Sequence, residues 1–113
     1  MKSKEEVEAF LRQFKPKMSV WGIFFLGRDK NLDTLKRLGM TPVEREEVIM
    51  DIEAEDFCEM INDTVGSLGE MWVFGKDCRG QEIYIKISMS SPGSKTICIS
   101  FHIAEHPMKY AFR

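Results

Sequence analysis

Two alternating segments in the C-terminal third gather side chains that can move protons and hold negative charge. From Glu82 to Met89, Ile83, Ile85, Ile87 and Met89 alternate with Glu82, Tyr84, Lys86 and Ser88. From Thr96 to Ile103, Ile97, Ile99, Phe101 and Ile103 alternate with Thr96, Cys98, Ser100 and His102. A period of two is the mark of a strand with one buried face. If both apolar rows cover a core, both polar rows share the opposite face, because a one-residue slip would bury one of them. A hairpin turning near Pro92-Gly93 then sets Tyr84 opposite Ser100 or His102, and Lys86 opposite Cys98 or Ser100. Tyr84 and His102 become direct or diagonal neighbours, about 5 to 8 Å apart at Cβ.

Tyrosine, lysine and histidine on one rigid surface suit metal-free cleavage of RNA. That reaction removes a proton from a 2′-hydroxyl, stabilises a crowded phosphate and protonates the departing 5′-oxygen. Histidine changes charge near neutral pH and can act as base or acid; Lys86 supplies positive charge, and Tyr84 donates or orients a proton. Trp72 and Phe74 join this face in one register of the preceding hairpin, where an aromatic ring suits a stacked base. Lys76 and Arg79 lie just beyond as RNA contacts. The competing reading is a solvated polar face with no chemistry. Cys98, His102 and His106 are spaced by four, but on a strand that separates neighbours by about 13 Å, so no metal site is expected. Gly66-Ser67-Leu68-Gly69 lacks the Lys-Ser/Thr of a phosphate loop.

The elements that must carry this face are legible in outline. Ser3 and Glu6 form a capping box ahead of Val7, Phe10, Leu11 and Phe14, which predicts a first helix ending before Lys15-Pro16. Met18 to Phe25 reads as a strand. A short helix follows, with Asp29 or Asn31 as cap, Leu32, Leu35 and Leu38 on its apolar side and Gly39 as its stop. Thr41-Pro42-Val43-Glu44 opens a third helix running to about Met50. Glu55 to Ile61 extends the helical region and Asn62 to Gly69 is a loop. Met71 to Phe74, Glu82 to Met89 and Thr96 to Ile103 form a three-stranded meander, turning at Gly75 to Gly80 and at Ser90 to Ser94. The expectation is one α+β domain over residues 1–113.

Composition supports a single core without staples: 113 residues, 43% hydrophobic, with three widely spaced cysteines that make no disulfide framework. No apolar run approaches membrane-spanning length, and no signal-peptide pattern follows Met1, so a cytoplasmic protein without membrane contact is expected. The net charge of −2 argues against nucleic acid, but the charge is segregated. Residues 12–37 hold seven basic residues against two acids, a balance of +5. Residues 42–70 hold ten acids against Arg45, or −9, and residues 71–113 hold six basic residues against three acids, or +3. The two basic segments can line one groove, although a solvated charged surface has the same composition.

Several runs resemble the MqsR family, toxins of bacterial type II toxin–antitoxin modules: Leu38-Gly39-Met40, Glu55-Asp56-Phe57, Trp72, Ile83-Tyr84-Ile85-Lys86-Ile87 and Ser100-Phe101. The resemblance implies a RelE-like fold with a C-terminal meander. It also implies an endoribonuclease that cuts messenger RNA without metal or other cofactor and is neutralised by a cognate antitoxin. Tyr84 carries over as a functional residue. The chain departs from the family at Glu59, where the family has lysine, at Val73, where it has glutamine, and at His102, which replaces a third family lysine. The last exchange moves the chemistry toward histidine acid–base catalysis. Lys109 and Arg113, in the tail beyond the family's minimal end, are available as phosphate contacts. The alternative expectation is a non-catalytic protein-binding module or an inactive toxin-like regulator.

Overall fold

A computed structural model describes residues Met1–Arg113. The chain forms helix α1 (Lys4–Trp21), strand β1 (Ile23–Phe25), helices α2 (Asp29–Leu38) and α3 (Pro42–Met50), and a 3-10 turn at Ala54–Asp56. Strands β2 (Phe57–Asn62), β3 (Glu70–Cys78), β4 (Gln81–Ser88) and β5 (Thr96–Ile103) complete it. The five strands make one mixed sheet in the order β1-β5-β4-β3-β2, antiparallel throughout β2 to β5. β1 runs parallel to β5. The meander thus has four strands rather than three.

α1 starts on the capping box: Glu6 N–H donates to Ser3 Oγ at 3.2 Å and Ser3 N–H donates to Glu6 Oε1 at 2.9 Å. It does not stop at Pro16. A proline inside a helix costs about 3 kcal/mol, but the buried stripe of Val7, Phe10, Leu11 and Phe14 continues to Met18 one turn later. Burying Met18 offsets much of that cost. Gly22, at φ 86°, ends the helix by donating to Met18 O at 2.8 Å, so Met18 to Trp21 is helix rather than strand.

α2 packs against the core through Leu35 and Leu38, as its apolar spacing suggests, but not through Leu32. Leu32 is 52% exposed, and the helix buries Asn31 and Thr34 instead. The reason is where it lies. β1 covers only the Thr96–Cys98 part of β5, leaving later main-chain groups of β5 without a strand partner. Asn31 fills that gap: Nδ2 donates to Leu26 O at 3.0 Å and Ile99 O at 3.1 Å, while Oδ1 accepts from Phe101 N–H at 3.0 Å. Thr34 Oγ1 accepts from Ile103 N–H at 3.2 Å. Gly39 closes α2 in the left-handed region at φ 63°, and α3 opens on the Thr41–Glu44 capping box as expected.

The acidic stretch after α3 is not helical. Ala54–Asp56 makes one tight turn, and Phe57–Asn62 then becomes the edge strand β2, because Phe57 is fully buried against Phe74 and Trp72. β3 runs through Gly75 to Cys78, and the turn narrows to Arg79-Gly80, both at positive φ (51° and 81°), which suits a two-residue hairpin. A bulge interrupts β5: Lys86 pairs with Ser100 but Ile87 pairs with Cys98, leaving Ile99 unpaired. Cys98 is thereby turned into the core instead of joining the polar row. The core packs α1 against one sheet face through Phe10, Phe14, Phe57, Trp72, Phe74, Ile83, Ile85, Ile87 and Phe101. No helix is long and apolar enough to cross a membrane.

Candidate active site

The other sheet face carries the polar row. Tyr84 pairs directly with His102 and Lys86 with Ser100, the closer of the two registers that the hairpin allows. The Tyr84 and His102 rings lie with centroids 5.2 Å apart and planes at 11°. His102 Nδ1 sits 3.0 Å from Ile103 O. A carbonyl only accepts, so this contact places a hydrogen on Nδ1 and, in the neutral ring, leaves Nε2 as the lone-pair nitrogen.

These residues stand in a groove of about 640 Å³ whose lining includes Arg28, Glu59, Tyr84, Lys86, His102 and Lys109. The C-terminal tail builds one wall. It is fastened by Tyr110 Oη donating to Glu82 Oε2 at 2.8 Å, by Met108 N–H donating to Glu82 Oε1 at 3.0 Å and by Ala111 N–H donating to Phe57 O at 2.9 Å. Burial, then the nearby charge of Glu59, raises the Tyr84 phenol above its ordinary pKa and favours the protonated donor form. Burial, then Arg28, lowers the pKa of Lys86, so its ammonium releases a proton more readily than an exposed lysine does.

Of the residues singled out in the sequence, Tyr84, Lys86, His102 and Lys109 come together here. The other five are elsewhere. Trp72 is 4% exposed and stacks on Phe10 at 4.2 Å, in the core, and Phe74 is buried beside it. Neither ring is available to a base. Lys76 pairs with Asp51 at 3.2 Å and Asp56 at 3.1 Å, and its ladder partner Ile83 belongs to the core face. Arg79 caps α2 by donating to Leu38 O at 2.5 Å and Gly39 O at 2.7 Å, and it pairs with Glu44 at 2.5 Å. Arg113 is tied to Asp56 at 2.9 Å with its guanidinium 3.8 Å from the Tyr110 ring centre. Its charge fastens the tail. Cys98, His102 and His106 do not converge, since Cys98 faces the core.

Arg28 was not singled out in the sequence. The one sequence signal for it is membership of the basic segment 12–37, which does meet the second basic segment in this groove through Arg28, Lys86 and Lys109. Glu59 and Val73, the two departures from the family pattern, are ladder partners, and Val73 is in turn the partner of Lys86. They form a row with Lys86 and Ser100 rather than a random surface.

Comparison of the chain with protein families, with curated proteins and with solved structures found no match.

Proposed function

We propose that this chain is a metal-independent endoribonuclease of the RelE-like toxin type, acting on messenger RNA and held in check by a cognate antitoxin. The observation that carries the reading is the Tyr84–His102 stack beside Lys86 at the floor of an open groove. The helices-on-sheet architecture and the residue runs resembling the MqsR family support it. In this reaction His102 Nε2 takes the proton from a 2′-hydroxyl, whose oxygen attacks the adjacent phosphorus. Lys86 neutralises the charge gathering on the phosphate oxygens. The P–O5′ bond breaks and the leaving oxygen receives a proton from Tyr84 or Lys86, giving a 2′,3′-cyclic phosphate and a 5′-hydroxyl. Glu59 and Val73 stand where the family has lysine and glutamine, so here the proton transfers rest on fewer groups and more heavily on His102.

The purified chain is expected to cut naked RNA in EDTA with those product ends. Positioned acid–base groups contribute about 10²- to 10⁴-fold, so His102→Ala and Tyr84→Phe should each slow cleavage at least about tenfold. An intact RNA after incubation with the parent protein would remove the nuclease reading and favour the inactive regulator. Parent-like cleavage by both variants would remove these residues from the mechanism.

A further inference from the structure

The groove holds a second feature beside the Tyr84–His102 stack: three cations with no carboxylate partner, Arg28, Lys86 and Lys109. Lys2, Lys30, Lys76, Arg79 and Arg113 each pair with a carboxylate. Arg28 and Lys86 line the same groove and neither lies within ion-pair distance of an acid. Two like charges facing one cavity repel, and Arg28 is the second cause, after burial, that lowers the proton affinity of Lys86.

Arg28 is held in place by the way α2 is attached. The helix grips β5 at the two amides flanking His102: Asn31 accepts from Phe101 N–H and Thr34 accepts from Ile103 N–H. Arg28 lies three residues before Asn31 and immediately before α2, so the grip that positions His102 also positions Arg28. Its side chain is exposed and free to turn toward a ligand. An arginine fork matches the paired oxygens of a phosphate, where lysine offers only a point charge.

We propose that Arg28 and Lys86 form a phosphodiester-binding site, in which the Arg28 guanidinium takes the non-bridging oxygens of the phosphate next to His102. The assignment rests on the nuclease reading for its biological substrate, but the site itself requires only an anionic backbone.

The test is fluorescence anisotropy with a labelled oligonucleotide carrying 2′-O-methyl groups, which cannot be cut because it has no free 2′-hydroxyl, measured across a salt series. Arg28→Ala should weaken binding about ten- to a hundredfold. It should also reduce the slope of log affinity against log salt by about 0.7, the value of one phosphate contact on a single strand. Arg28→Lys should recover the slope while regaining only part of the affinity. Lys36→Ala, which removes an equal charge from α2 away from the groove, should bind as the parent does. Thermal melting checks folding, and if Arg28→Ala melts early, Arg28→Lys against Lys36→Ala decides alone: equal affinities overturn the site. Arg28→Ala binding with parent affinity and slope also overturns it. The two readings fail separately. Binding that depends on Arg28, with uncut RNA, keeps this site and rejects the nuclease; cleavage indifferent to Arg28 does the reverse.

Discussion

Asn31→Ala is the substitution that most directly examines how the fold positions the site. The Asn31 side chain is 1% exposed and serves three main-chain groups, Leu26 O, Ile99 O and Phe101 N–H. Alanine leaves two of them unsatisfied in a buried position and the third partly so. Each buried orphan costs about 1–3 kcal/mol, and water entering the vacated space returns some of it, so the expected loss is about 3–5 kcal/mol. Set against the roughly 5–15 kcal/mol by which a domain is stable, that is a large fraction. A chain of this size loses about 4 °C of Tm per kcal/mol, and the fall should be about 12–20 °C. Urea denaturation gives the free energy, and amide exchange at Phe101 reports the lost acceptor directly. Asn31→Asp keeps the acceptor but turns a charged oxygen toward two carbonyls. Its carboxyl should therefore have a raised pKa in the folded state. The penalty is present above the unfolded aspartate pKa and eases as pH falls through the raised value, so the variant should narrow its gap to the parent in mild acid. An Asn31→Ala protein within about 1 kcal/mol of the parent would show that α2 does not hold the β5 edge by these bonds.

Three further perturbations report on the groove and its walls. Arg28→Gln removes a neighbouring positive charge, so the Lys86 pKa, lowered by burial and then by Arg28, should rise in an NMR titration of the lysine nitrogen; an unmoved value would separate the two residues. Burial, then Glu59 and Glu82, pushes the half-buried Cys58 thiol up to about 11 from 9.0. Iodoacetamide at pH 8 should then react about a hundredfold more slowly than with a free thiol, gaining about tenfold per pH unit, because only the thiolate attacks; rapid labelling at pH 7 would contradict this environment. Gly75→Ala places a Cβ against the Tyr110 hydroxyl and ring, so Tyr110 must leave Glu82. A loss of about 1–3 kcal/mol from overpacking, with faster exchange at the Ala111 amide, is expected; a gain in stability would mean that the tail is not seated there.

Much of the architecture was legible because local signals and burial agreed. The capping boxes at Ser3 and Thr41 set two helix starts, and the alternation around Tyr84 set a register that the structure resolves to the Tyr84–His102 pair. The failures share one cause, tertiary contacts that local patterns do not carry. Pro16 reads as a stop, but Met18 has a place in the core. Glu55 to Ile61 reads as helix, but Phe57 fits the aromatic cluster only as a strand residue. The alternation from Ile97 to Ile103 looks continuous, and nothing in it announces the bulge at Ile99 that turns Cys98 inward. Leu32 looks like the buried side of α2, whereas the sheet edge it covers needs an amide and a hydroxyl.

The charge distribution shows why the site residues were only partly legible. The acidic segment 42–70 looks like a surface surplus in the sequence, but three of its carboxylates, of which Asp56 is buried, hold cations of this chain. Asp51 and Asp56 hold Lys76, Asp56 also holds Arg113, and Glu44 holds Arg79 at the end of α2. Each pair removes a cation that the sequence offered as an RNA contact. The cations left facing the groove are those the acids do not reach, Arg28, Lys86 and Lys109. A segment total cannot make that distinction, because a paired and an unpaired arginine count alike. The net charge of −2 therefore says little about anion binding here. The local field in the groove depends on which acids are spent on structure, and Glu59, at its opposite side, is a remaining acid positioned to oppose it.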